Sequence, residues 1–176
     1  EHERAVRMAG LRAASFLGKA GIPAEWEEEI RVPGMNLPGL YGMDPALPRV
    51  LYVCQVIAQG LLHDNYIYGL NAQGCLPLLM TPGEVLDGAI VSGNCAAPCH
   101  KHTTYHHQNN PIVEDLLKEH GKTLNFLGVL VTPVKTALVE KVRICTQAFK
   151  MAKMLGAQGV ILSEDDTGNP ENDLML

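Results

Sequence analysis

No basic stripe runs through these 176 residues. Lys and Arg total 14 against 19 Asp and Glu, the formal charge is −5, and the pI is near 5.8. The cations are scattered, so a nucleic-acid partner is not expected. No apolar run approaches a membrane span; stretches such as Phe126 to Val131 stop far short of the ~20 residues that crossing takes. Residues 1–20 carry Glu1, Glu3, Arg4, Arg7, Arg12 and Lys19 throughout and do not read as a signal peptide. Five cysteines, an odd number at irregular spacing, do not make a secreted disulfide framework. A reducing, cytoplasmic setting is the expectation.

Several motifs are also missing. "HGKT" at 120–123 would be a phosphate loop only with Gly where Leu116 stands, and it closes a helical pattern instead of opening one. No G-x-G-x-x-G and no H-E-x-x-H occur. The serine-hydrolase elbow would need Gly at Ile90.

What is present is a globular composition, 47% hydrophobic and 19% charged, long enough for one domain spanning 1–176. The chain opens on "EHERAVRMAG" without Met and closes on the apolar "NDLML", so it reads as part of a longer proprotein. Residues 1–18 predict an amphipathic helix with Val6, Ala9, Ala13, Phe16 and Leu17 on one face and Gly18 and Gly21 as stops. Prolines and glycines make 31–48 an irregular connection. "RVLYVCQVI" (49–57) reads as a buried strand, 60–70 as a short helix or turn, and 75–80 as a second strand. Thr81, Pro82 and Glu84 predict a capped short helix, and 88–93 a third strand. Asn110 and Pro111 start a helix that Gly121 stops. Strands are expected at 124–132 and 159–165. The helix at 136–156 should turn Leu138, Val142, Cys145, Phe149, Ala152 and Leu155 inward, and "DDTGNPEND" is turn-rich. Strands alternating with helices give an α/β fold: a mainly parallel sheet with helices on both faces, three layers in all. Ligands gather at the carboxyl ends of such strands, where "SGNC" and "SEDDTGNP" fall.

"SGNCAAPCHKHTTYHH" (92–107) gathers two cysteines and four histidines. Three chemistries compete for it. Cys95, Cys99, His100, His102, His106 and His107 offer more than four zinc ligands, although Cys-x₃-Cys with clustered histidines matches no common finger. Histidines facing water would equally account for His100, His102 and His106. A zinc- or small-molecule-binding module using 95–107 is therefore the alternative reading. Cys95 near Lys101 and the histidines could also serve as an activated thiolate, with no base assigned. Cys54, Cys75 and Cys145 read as buried small hydrophobes.

The third chemistry is scission of the chain by itself. The Cys95 thiolate attacks the Asn94 carbonyl, and the amide becomes a thioester. β-Elimination leaves dehydroalanine at 95, and hydrolysis of that enamine gives a pyruvoyl group. Its ketone serves amines as an electron sink through a Schiff base. Ser92 and Gly93 permit the tight turn that the acyl shift needs.

"EHERAVRMAGLRAASFLG", "QGLLHDNYIYG", "DGAIVSGNC", "CHKHTTYHHQNNPIVEDLLKEHGKTLNFLGV" and "SEDDTGNPENDL" follow one another along nearly the whole chain. In them the sequence resembles the alpha/beta proprotein subunit of component B of the glycine, sarcosine and betaine reductases, and more distantly the D-proline reductase proprotein. The resemblance implies scission between Asn94 and Cys95, a pyruvoyl cofactor made from Cys95, and capture of a small amine by it. It also implies other component B subunits and a selenocysteine carrier protein as partners, in an oligomer. Helpers are expected nearby. His63 and Asp64 would relay a proton or hold the Asn94 carbonyl, and His107 and Lys101 would lower the Cys95 pKa. Asp64, Glu164 and Asn169 would contact the substrate, though capped turns also account for Glu164 and Asn169.

Overall fold

The computed structural model describes residues 2–21, 43–59, 64–93, 102–165 and 169–176, apart from the side chains of Glu3, Arg4, Arg7, Leu11 and Asn169. In chain order the elements are α1 (His2–Gly21), β1 (Arg49–Ile57), β2 (Asn65–Ile67), β3 (Leu70–Asn71), β4 (Leu78–Met80), α2 (Pro82–Leu86), β5 (Ile90–Ser92), α3 (Thr104–Gln108), α4 (Pro111–Glu119), β6 (Asn125–Val134), α5 (Leu138–Met154), β7 (Gly159–Ser163) and α6 (Asn169–Leu174). α1 belongs to a unit of its own; it runs through Gly18 and ends at Gly21, the second of the two expected stops. The other elements form the second unit.

β1 and β6 are continuous apolar runs because both of their faces are covered, the usual condition of central parallel strands. They pair in parallel, β7 joins β1 in parallel, and β4 closes the other edge antiparallel to β6, in the order β4-β6-β1-β7. A register shift opposite Val50 and Tyr52 puts an extra residue of β6 at Gly128, whose φ is 126°. Phe126, Val129 and Val131 then share one face, while Leu127 and Leu130 take the other.

The first face packs Tyr52, Cys54 and Val56 against Val85 of α2, Val113 and Leu116 of α4, and Ile67 and Ile90 of the second sheet. The opposite face packs Leu51, Val53, Leu127 and Leu130 against Ala148, Met151 and Ala152 of α5 and Leu155 at its C-cap. Each fully buried side chain of this kind contributes ~1.5–3 kcal/mol. The α/β expectation of a mainly parallel sheet between helical layers holds.

Details differ. Residues 65–71 are strands, not a helix or turn: β2 and β3 form a hairpin closed by Tyr68 and Gly69, both at positive φ (49° and 76°). β5 forms as expected but joins β2 in a separate antiparallel sheet, β3-β2-β5. The expected inner face of α5 holds at Ala152 and Leu155, which pack on the sheet, and fails nearer its start. Leu138 (68%), Val142 (48%) and Phe149 (63%) are exposed, whereas Ile144 and Lys141 are buried. Two causes act: Ala148 and Ala152 let the helix sit close to the sheet, and Lys141 is drawn inward to Asp173 of α6. α3 and α6 were not anticipated; Pro170 and Glu171 in the first turn of α6 are helix-start signals within a stretch read as turns.

The caps are the expected ones. Thr81 and Glu84 form a reciprocal capping box on α2, and Asn110 Oδ1 accepts from Ile112 N (3.0 Å) and Val113 N (3.2 Å) to start α4.

Candidate active site

Three chain segments that are distant in sequence meet at the carboxyl ends of β1 and β7. Asp165, two residues past β7, is buried, and three N–H groups converge on its carboxylate. Asn65 Nδ2 donates to Oδ2 at 2.6 Å, Ile57 N points at the same oxygen from 3.5 Å, and His102 N donates to Oδ1. Burial raises the Asp165 pKa, and the bonds from His102, Asn65 and Ile57 oppose that rise. The other end of the Asn65 amide faces His107, with Oδ1 and Nε2 3.2 Å apart.

His107 lies on α3 and is fully buried, with its Nδ1 enclosed and lacking a hydrogen-bonding partner among the described residues. Its pKa falls to about 4, through burial first and then the neighbouring His102 and His106. The imidazole is therefore neutral at physiological pH. The His102 ring stands edge-on to it at 5.6 Å. α3 is placed by a capping box in which Thr103 Oγ1 accepts from His106 N (3.4 Å) and Thr103 N donates to His106 Nδ1 (3.1 Å). One of the loop histidines is thus employed as a cap.

The cluster and the residues adjoining it hold both neighbours of the segment 94–101. On the upstream side Gly93 N donates to the Asp64 carbonyl at 3.0 Å, and Ser92 N donates to Thr104 Oγ1 at 3.1 Å. A Cβ at position 93 would lie 2.4 Å from that carbonyl and 3.2 Å from the Tyr66 ring, so only glycine fits there. Downstream, His102 is held on Asp165. A second polar chain adjoins through the sheet: the Tyr52 hydroxyl pairs with Ser163 Oγ (2.6 Å) and accepts from Asn110 Nδ2 (3.2 Å).

Of the residues expected here, His107 sits in the cluster's interior. Asp64, the residue before Asn65, is buried, and its Oδ1 accepts from Gln59 N at 2.9 Å. Glu164 is half-buried with Oε2 enclosed, one residue before Asp165. Asn94, Cys95, His63, Cys99, His100 and Lys101 lie outside the described residues, as does the Asn169 side chain. Cys54 is buried with its thiol pushed up to about 11, in keeping with a packing role. Among the described residues no three His, Cys, Asp or Glu side chains converge as a metal site, and no helix is long and apolar enough to cross a membrane. Sequence reasoning missed Asn65 and Asp165. Asp165 stands in the "SEDDTGNP" stretch already singled out, but its partner is 100 residues away.

Fold and site together define an α/β domain in which a buried carboxylate–amide–imidazole chain holds His102, on the downstream side of a Cys-containing segment, while Asp64 and Thr104 hold the upstream side. The family model for glycine/sarcosine/betaine reductase component B subunits matches residues 1–176, and the chain belongs to that family. It is 46% identical over 175 residues to the sarcosine reductase complex component B subunit alpha of Peptoclostridium acidaminophilum, covering 99% of this chain and 41% of that protein. It is 45% identical over 179 residues to the glycine reductase complex component B subunits alpha and beta of Acetoanaerobium sticklandii, again with 41% of that protein covered. The D-proline reductase proprotein of the latter organism is more distant, at 22% over 136 residues. The chain thus spans about two fifths of the length of the curated relatives it matches most fully. No solved structure matches.

Proposed function

We propose that this chain is part of the pyruvoyl-containing, substrate-binding subunit of a selenoprotein-dependent amine reductase acting on glycine, sarcosine or betaine. In this reading the longer proprotein is cut between Asn94 and Cys95. The observation that carries it is the buried His107 nitrogen without a partner among the described residues. It belongs to the cluster whose Asp165 holds His102, and it shares α3 with Thr104, which holds Ser92, so it lies between the anchors on either side of the segment with Asn94 and Cys95.

A neutral imidazole with a free lone pair is what the scission chemistry requires of this domain. His107 Nδ1 takes the proton of the Cys95 thiol, passes it to the departing amine of residue 95, and then takes the proton of the Cys95 α-carbon. Addition of sulfur to the Asn94 carbonyl breaks the C–N bond and forms a thioester, with the amine of residue 95 released. Loss of the α-proton expels the thiocarboxylate and makes dehydroalanine. Water then adds and ammonia leaves, giving a ketone at 95, and a second water removes sulfide from the Asn94 terminus. No external oxidant or reductant enters.

The residues present fit such a group, since the cluster offers one proton acceptor and a rigid pair of stems. A pyruvoyl group at 95 supplies an electrophilic carbonyl to an amine substrate. In this reading His63 and Asp64 relay a proton or hold the Asn94 carbonyl, and Asp64, Glu164 and Asn169 contact the substrate. Other component B subunits and a selenocysteine carrier protein complete the reaction, in an oligomer in the cytoplasm.

Intact-mass analysis of the full-length proprotein tests this. Two polypeptides meeting at residue 94, the second without the Cys95 sulfur and trapped by borohydride with glycine, are expected. A single uncut chain under all conditions defeats it. Stoichiometric zinc on an uncut chain would favour the metal-binding module instead.

A further inference from the structure

Asn65 has a donor end and an acceptor end, and its surroundings decide which faces where. Nδ2 lies between two oxygens, Asp165 Oδ2 at 2.6 Å and the Ile57 carbonyl at 3.4 Å. Turning the amide over would set Oδ1 against both. Asp165 is committed as an acceptor, because the other groups aimed at it are the backbone N–H of His102 and that of Ile57, which cannot be inverted. The Asn65 oxygen therefore faces His107, and His107 Nε2 must carry the ring proton. A neutral imidazole carries only one proton, so Nδ1 keeps its lone pair.

We propose that Asn65, locked in place by Asp165, is a positioning residue that fixes His107 as the Nε2–H tautomer and leaves Nδ1 as the proton acceptor of the site. The logic is that of a carboxylate orienting a histidine, with an amide inserted between them. The insertion matters. A carboxylate touching Nε2–H directly would favour imidazolium, whereas the neutral amide orients the ring without charging it. His102 and His106, the titratable groups on the α3 side, also disfavour a charged ring. What the acceptor is used on rests on the scission reading above; the tautomer itself does not.

The test uses the full-length subunit with Cys95→Ala to keep one chain, labelled with ¹⁵N-histidine and assigned by comparison with His107→Gln. The ring pattern of a neutral Nε2–H histidine is expected at neutral pH. An Nδ1–H pattern or an imidazolium there overturns the proposal, whether or not the native protein cuts itself. A second arm follows scission in the Cys95 protein. Asn65→Asp places two carboxylates face to face and draws a proton onto His107. Scission should slow roughly 100-fold, with its pH profile displaced to higher pH. Adding Asp165→Asn relieves the clash of two carboxylates but leaves one directly on His107 Nε2–H, so the pH profile should stay displaced to higher pH. Native rate and pH profile in Asn65→Asp would overturn the positioning role. So would a double variant with the native pH profile, since a carboxylate would then touch Nε2–H without charging the ring. If Asn65→Asp fails to fold, the tautomer measurement decides alone. If the unmutated protein never cuts, the scission reading falls and the tautomer remains testable.

Discussion

Replacing His107 by Gln should remove a pH dependence of stability that the wild-type fold carries. The ordinary histidine pKa near 6.5 falls to about 4 in the folded protein, chiefly through burial. Between those values the unfolded chain holds a proton that the folded one refuses, so stability rises with pH across the window. It is fully present above pH 6.5 and is lost as pH falls toward 4. At ~1.4 kcal/mol per pKa unit the loss amounts to about 3 kcal/mol. Asp165, whose pKa is raised, contributes with the opposite sign, but it is present in both proteins and cancels in their difference. The assay is urea unfolding of the full-length subunit, with and without His107→Gln on a Cys95→Ala background, at closely spaced pH values. The stability difference between the two proteins should shrink in the acid direction by about 3 kcal/mol. A flat difference would mean that His107 titrates alike in folded and unfolded chains. A difference that grows toward acid would mean a protected imidazolium, and the base assigned here would be wrong.

Other expectations follow from single contacts. Gly93→Ala should abolish scission while leaving the far-ultraviolet circular dichroism of the fold in place, because its methyl would press on the Asp64 carbonyl that anchors the stem. Lys141→Met should cost about 3–5 kcal/mol in denaturant unfolding by leaving Asp173 buried and unpaired, whereas Lys141→Met with Asp173→Leu should recover most of it. Thr81→Ala should cost about 1 kcal/mol by opening the α2 capping box, read as a shift in urea midpoint. Borohydride should trap glycine and sarcosine on the cut subunit but not betaine, whose quaternary nitrogen has no proton to lose. Trapping of betaine would point to a different mode of capture.

The parallel sheet was legible because its strands are apolar throughout and its helices carry caps in their own sequence, as Thr81 and Asn110 do. Such signals are local. The orientation of α5 was legible only in part: Ala152 and Leu155 pack as expected, but the larger Leu138, Val142 and Phe149 stay exposed while Ala148 and Met151 pack on the sheet. β5 was found but assigned to the wrong sheet, since three residues of apolar sequence do not reveal their partner. At the site His107 stood out by its crowded neighbourhood. Asn65 and Asp165 did not, because an asparagine opening a strand and an aspartate among other acids carry no pattern. Their roles arise only when β1 and β7 bring residues 100 apart into contact.

The strand order has a consequence for any break in the segment 94–101. β1 lies upstream of it, yet its partners on both sides, β6 and β7, lie downstream, and β4 upstream is in turn clasped to β6. The two polypeptides would be interleaved strand by strand and would share one hydrophobic interior. Scission would therefore create new termini without releasing anything: the halves should migrate together in native chromatography and part only in denaturant.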